Sequence, residues 1–215
     1  SDIREIDAGY LDRFTPLDVF DYFAGELFEK IDTSVQKFLM ISAILPFMTV
    51  SMTKELTGDN SSEKILEYLN HHQFFIERRS GERLTYHYHQ LFREFLLYKA
   101  EHLFDDRELE ECKRKAARIL ETRGFIESAF SLYRELDDAG SMSRMVRDRA
   151  FGLLFQNRHK TLENWIASIP VHTGSADPWL LYWTGMCFLP VKASETKPLF
   201  DKALDLFESQ TNPAG

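Results

Sequence analysis

Apolar positions recur at helical spacing along most of the chain and leave that spacing once. Val19, Phe20, Phe23, Leu27, Phe28 and Ile31 fall three or four residues apart. Thr15-Pro16 precedes them, an N-cap acceptor followed by a proline suited to the first helical turn. Asp32-Thr33-Ser34 opens a second helix through Val35, Phe38, Leu39 and Ile41, and the pattern carries it towards Pro46. A short helix is expected from about Ser51 to Gly58, and another after Asn60-Ser61-Ser62, bearing Ile65, Leu66 and Leu69. The period then changes. Gln73–Arg79 and Arg83–Tyr88 are rich in aromatic and β-branched residues and flank Ser80-Gly81-Glu82, which predicts a β-hairpin. Helical spacing returns with Leu91, Phe92, Phe95, Leu96 and Leu103. Three helices followed by a hairpin is the order of a winged helix, placed at residues 32–104.

From Asp105 onward the helices come in pairs. Asp106–Arg123 is closed by Gly124 and followed by Phe125–Leu136; Ser141–Asn157 is followed by Lys160–Ile169, stopped by Pro170. Asp177-Pro178 opens Trp179–Leu189, and Ser194–Ser209 completes a third pair. The repeat length is close to that of tetratricopeptide (TPR) units. The expected fold is mainly α: a winged-helix domain, then a TPR-like superhelical repeat over residues 105–215, with residues 1–31 as a preceding segment.

Composition narrows the function. The chain has 215 residues, 44% hydrophobic and 28% charged, ordinary values for a globular protein. It contains no apolar run long enough to span a membrane and no recognisable signal peptide. Two cysteines, Cys112 and Cys187, read as reduced thiols of a cytoplasmic protein. The missing initiator Met and the Asn-Pro-Ala-Gly end suggest a piece of a longer chain. The formal net charge is −8, concentrated in residues 1–31, where eight acids face three bases. That balance argues against a nucleic-acid-binding face. Ser62–His71, the helix that would enter a DNA groove, offers Glu63, Lys64, Glu67 and Asn70, two acids against one base. Arg78, Arg79 and Arg83 on the wing could support only a weak contact.

Candidate chemistry is sparse. Gly58-Asp59-Asn60-Ser61-Ser62-Glu63-Lys64 lacks the second glycine of a phosphate-cradling loop and follows a helix rather than a strand. His71, His72, His87 and His89 have neither cysteines nor a His-x-x-x-His spacing beside them, so no metal site is expected. No serine or cysteine has the neighbours of a nucleophile, and no catalytic residue is assigned.

The run Tyr86-His87-Tyr88-His89-Gln90-Leu91-Phe92 resembles the Y-R-Y-H-H-L-F signature of MalT-like, LuxR-type ATP-binding transcriptional regulators, members of the STAND class of signal-transducing NTPases. Leu17–Phe23 is similar to the family's passage from the NTPase helical subdomain into the winged helix. Phe38–Leu45, with Leu56-Thr57-Gly58, resembles its "FLLRTSVL…LTG" region, and Trp165–Pro170 its "WLxxLP". The resemblance covers roughly residues 15–190. It implies that residues 1–31 end an NTPase helical subdomain or linker, and that the winged helix packs on an upstream nucleotide-binding domain. It also implies that His89, aligned with the histidine of a Met-His-Asp motif, contacts the phosphate of ADP. His87 stands where the family often has Arg, and Gln90 where it has His. A plain hydrogen-bonded histidine is the other reading of His89.

The implied function is a regulatory fragment without catalysis of its own. It would couple nucleotide state to an inducer or protein bound on the helical arm. ATP or ADP would sit in the upstream domain, with none bound by this fragment, and DNA would be read only by a separate domain. A stand-alone helical-repeat interaction module is the alternative, and a DNA-binding winged-helix repressor is the third reading.

Overall fold

Asp32 starts the helix that follows it by accepting a hydrogen bond from the Ser34 backbone N–H at 2.8 Å, the capping expected of its short side chain. The computed structural model describes residues 24–26, 28–72, 74–81, 83–170, 177–190 and 192–211. The helix start expected at Thr15-Pro16, the apolar positions Val19, Phe20, Phe23 and Leu27, and the Leu17–Phe23 resemblance lie outside these residues. So do Gln73 and Glu82 of the expected hairpin. The described chain is mostly helical and divides into two compact units, one ending at Arg123 and the other beginning at Gly124.

The first unit contains α1 (Thr33–Ser42), α2 (Val50–Thr57), α3 (Ser62–His71), β1 (Ile76–Arg79), β2 (Thr85–Tyr88), α4 (Gln90–Leu103) and α5 (Asp106–Thr122). Residues 38–45 are buried without interruption, so the end of α1 is the centre of this core rather than one face of an amphipathic helix. The helix stops at Ser42, four residues before Pro46, where the apolar pattern alone would have carried it. Ile44 and Leu45 instead donate to the carbonyls of Ile41 and Ser42, a tighter turn that leaves their own carbonyls for α4. Thr49 caps α2 through Met52 N–H, and Gly58 ends it at φ 74°, a conformation that favours glycine.

The hairpin is antiparallel, with Ile76 opposite Tyr88 and Arg79 opposite Thr85. It carries a third partner that periodicity did not reveal. Met48 and Tyr86 exchange two backbone hydrogen bonds at 2.8 Å each, so β2 lies between β1 and the turn before α2. Helix α5, which the spacing of the pairs grouped with the arm, packs on α2 and α4 inside this unit. Lys115 donates to the Leu56 carbonyl at 2.9 Å, Arg123 reaches Ser51 and Glu55, and Lys37 of α1 pairs with Glu108 at 2.7 Å.

The second unit contains α6 (Ile126–Glu135), α7 (Ala139–Phe155), α8 (His159–Ala167), α9 (Pro178–Phe188) and α10 (Ala193–Thr211). Each helix packs on the next, and α9 also touches α7. First helices of the pairs begin at Asp106, Ala139 and Pro178, so the interval widens along the chain instead of keeping one repeat length. Phe130 of α6 and Trp165 of α8 stack face to face with ring centres 4.1 Å apart. At the α9–α10 contact a Cβ on Gly185 would stand 2.5 Å from the ring of Phe200. Gly185→Ala should therefore destabilise the chain by about 1–3 kcal/mol, the usual cost of overpacking, read as a lower urea midpoint. An unchanged midpoint would mean that the ring moves aside freely.

Candidate phosphate contact at the β2–α4 junction

The sequence Tyr88-His89-Gln90-Leu91-Phe92 turns from strand to helix, and the two aromatics bury while His89 does not. Tyr88 is on the inward face of β2, and its hydroxyl shares a 2.8 Å hydrogen bond with Ser42 Oγ, which also reaches the Leu39 carbonyl. Burial pushes the Tyr88 phenol well above its ordinary pKa, so it remains neutral. Phe92 is 1% exposed and packs against Phe75, Tyr88 and Phe95, with ring centres 5.3–6.1 Å away. These contacts make a rigid base under the junction.

His89 is the N-cap residue of α4 and is exposed. Its backbone N–H donates to the Phe75 carbonyl at 2.7 Å, and its carbonyl accepts from Arg93 N–H at 2.9 Å. Its side chain makes no capping bond to the helix, and no acid occupies the first turn of α4. Gln90 donates along the helix to Glu94 at 3.0 Å. The junction thus offers an imidazole beside the positive end of a fourteen-residue helix, the arrangement that attracts a phosphate or carboxylate.

Arg93 is the residue that sequence reasoning missed. Its guanidinium donates to the carbonyls of Ile44 at 3.2 Å and Leu45 at 3.4 Å, tying the first turn of α4 to the end of α1. The available signal was its spacing, one helical turn after His89. His87 plays a different part. Its Nε2 lies 3.1 Å from Thr85 Oγ1 and its ring lies near Phe47. Burial, reinforced by Arg79 and opposed by Glu77, lowers its pKa and favours the neutral form.

The other candidates do not assemble into a DNA-reading face or a metal site. Helix α3 buries Ser62, Leu66 and Leu69 and exposes Glu63, Lys64 and Glu67, so the acidic residues face solvent where a phosphate backbone would lie. Arg79 on the wing is paired with Glu77 at 2.9 Å. An open cleft of about 490 Å³ between α3 and the hairpin is lined by residues of mixed charge, including Lys64, Glu67, His71 and Arg78. Among the described residues no three His, Cys, Asp or Glu side chains are placed to hold a metal. Cys112 and Cys187 are both free thiols; burial, with a smaller push from Glu163, raises Cys187 to about 11. No described helix is long and apolar enough to cross a membrane.

Residues 24–108 match the family model of the MalT winged helix domain. The chain is also 26% identical over 161 residues to the HTH-type transcriptional regulator MalT of Cronobacter sakazakii. That alignment covers 75% of this chain and 18% of the relative, so the chain spans a small part of the length of the protein it matches. The matched region holds α1 to α4, the hairpin and the His89 junction. The chain thus carries a winged-helix domain of the MalT type and resembles a piece of a MalT-like transcriptional regulator.

Proposed function

We propose that the chain is the coupling segment of a signal-transducing, ATP-dependent transcription regulator. In this reading His89 contacts a phosphate of ADP held by an upstream nucleotide-binding domain. The winged helix then serves as a latch rather than a DNA reader, and the second unit receives an inducer or a protein partner. DNA is contacted by a separate domain, the protein works in the cytoplasm, and this segment catalyses nothing itself.

The observation that carries the proposal is the β2–α4 junction: an exposed histidine at the N-terminus of a fourteen-residue helix that its own side chain does not cap, on a base fixed by Phe92, Tyr88 and Arg93. An anion there meets a hydrogen-bond donor and the helix dipole together. The acidic exposed face of α3 supports the same reading, because it repels the phosphates that a DNA-reading winged helix needs.

Hydrogen exchange tests it in the regulator that contains this segment. ADP should slow amide exchange at residues 89–92 relative to the nucleotide-free protein, and ATP should slow it less. Identical exchange in the three states would remove the latch from the proposal.

A further inference from the structure

Lys64, Glu67, Tyr68 and His71 follow one another at three- and four-residue intervals, so they share one face of α3. Arg78 and Tyr86 stand opposite each other in the register of the hairpin, so their side chains leave it on the same side. These two faces wall the cleft of about 490 Å³. Its size falls within the range of about 300–1,000 Å³ usual for small-molecule sites.

The floor of the cleft is a polar group with nothing to bond. Tyr86 is 1% exposed, the cleft reaches it, and its hydroxyl has no hydrogen-bond partner among the described residues. Tyr88, two residues further on, spends its hydroxyl on Ser42. A buried hydroxyl left unpaired is costly unless something entering the cleft meets it. Burial raises the pKa of the Tyr86 phenol, opposed by Arg78 and seconded by Glu67 and Glu63, so the group stays neutral and able to donate. Those influences also place it between a guanidinium on the hairpin and two carboxylates on the helix.

The walls carry both signs of charge, and the charges do not satisfy one another. Among the described residues Lys64, Glu67 and Arg78 have neither an ion pair nor a side-chain hydrogen bond, whereas the neighbouring Arg79 is paired with Glu77. At the rim the Tyr68 ring is 57% exposed and is steadied by His72, with ring centres 4.3 Å apart, and by Phe74 at 6.1 Å. It offers a flat surface next to the charged groups.

We propose that this cleft binds a small zwitterion with a flat apolar side chain, a free aromatic α-amino acid. The carboxylate of the ligand meets Arg78, Lys64 and the Tyr86 hydroxyl, its ammonium faces Glu67, and its ring lies on Tyr68. A simple anion would also meet Glu67 and Glu63, and a simple cation would meet Arg78 and Lys64; a ligand of both signs matches all of them.

Calorimetric titration of L-phenylalanine into the 215-residue chain tests this, with phenylalaninamide and N-acetylphenylalanine as probes that each lack one charge. L-phenylalanine should bind about tenfold more tightly than the amide, which gives up the charged acceptor for Arg78 and Tyr86. It should bind about fivefold more tightly than the N-acetyl compound, whose loss is an exposed ion pair. Arg78→Gln should bring L-phenylalanine and the amide to similar affinity, and Glu67→Gln should do the same for L-phenylalanine and the N-acetyl compound. Tyr86→Phe removes the hydroxyl alone and should weaken L-phenylalanine by about fivefold. The first two side chains are exposed and the third variant keeps its buried ring, so circular dichroism should show all three chains folded. Three results overturn the proposal: no binding of L-phenylalanine at millimolar concentration, equal binding of the three probes, or binding of L-phenylalanine unchanged in the variants. Tighter binding of the amide or of the N-acetyl compound marks a site for one sign of charge and overturns it as well. The nucleotide-dependent exchange at residues 89–92 does not involve these side chains, so either reading can fail without the other.

Discussion

His89→Ala, introduced into the regulator that contains this segment, should weaken ADP binding roughly ten- to a hundredfold and raise activation without inducer. A hydrogen bond to a charged phosphate contributes about 1.5–3 kcal/mol, and each 1.4 kcal/mol is about a factor of ten. The protein should stay folded, because His89 is exposed and the junction is held by Tyr88, Phe92 and the backbone bonds to Phe75 and Arg93. His87→Ala is the control. Its ring is engaged with Thr85 and Phe47 two residues earlier, so ADP affinity should move much less. Calorimetric titration of ADP into the two variants separates them. Equal affinity in wild-type and His89→Ala protein would leave this histidine as ordinary structure.

Phe92→Ala should cost the first unit about 3–5 kcal/mol, the range for removing a buried phenylalanine. The ring is 1% exposed and packs against three other aromatics, so truncation removes these contacts and leaves a cavity in the core. Against a domain stability of about 5–15 kcal/mol this is a large fraction. Urea unfolding followed by circular dichroism should show the midpoint falling sharply. Phe92→Leu should recover most of the loss, since it restores apolar volume. A shift of under about 1 kcal/mol for Phe92→Ala would mean that the core collapses around the gap.

Much of the winged helix was legible because its signals are local. Asp32 starts a helix through its side chain and Gly58 stops one through its backbone conformation, and the aromatic run of the hairpin breaks the helical period. What escaped the sequence depends on distant partners. The Ile44 and Leu45 carbonyls just beyond α1 are taken by Arg93, from nearly fifty positions away. Met48 sits in a stretch with no alternation, so nothing local announced its pairing with Tyr86. Helix α5 has the amphipathic pattern of any repeat helix; its place in the first unit follows from Lys115 and Arg123 reaching α2. His89 was found by resemblance. Its exposure at the start of α4 became visible only in three dimensions.

The Met48–Tyr86 pair has a kinetic consequence. Two four-residue strands joined by a turn are marginal alone in water, and the third partner comes from before α2 and α3. Joining it closes a long loop, whose entropy must be met before the sheet contributes any stability. Completing this sheet is therefore a non-local step, and together with the Arg93 contacts to the Ile44 and Leu45 carbonyls it makes the first unit a higher-contact-order, slower-folding body than its helices alone suggest.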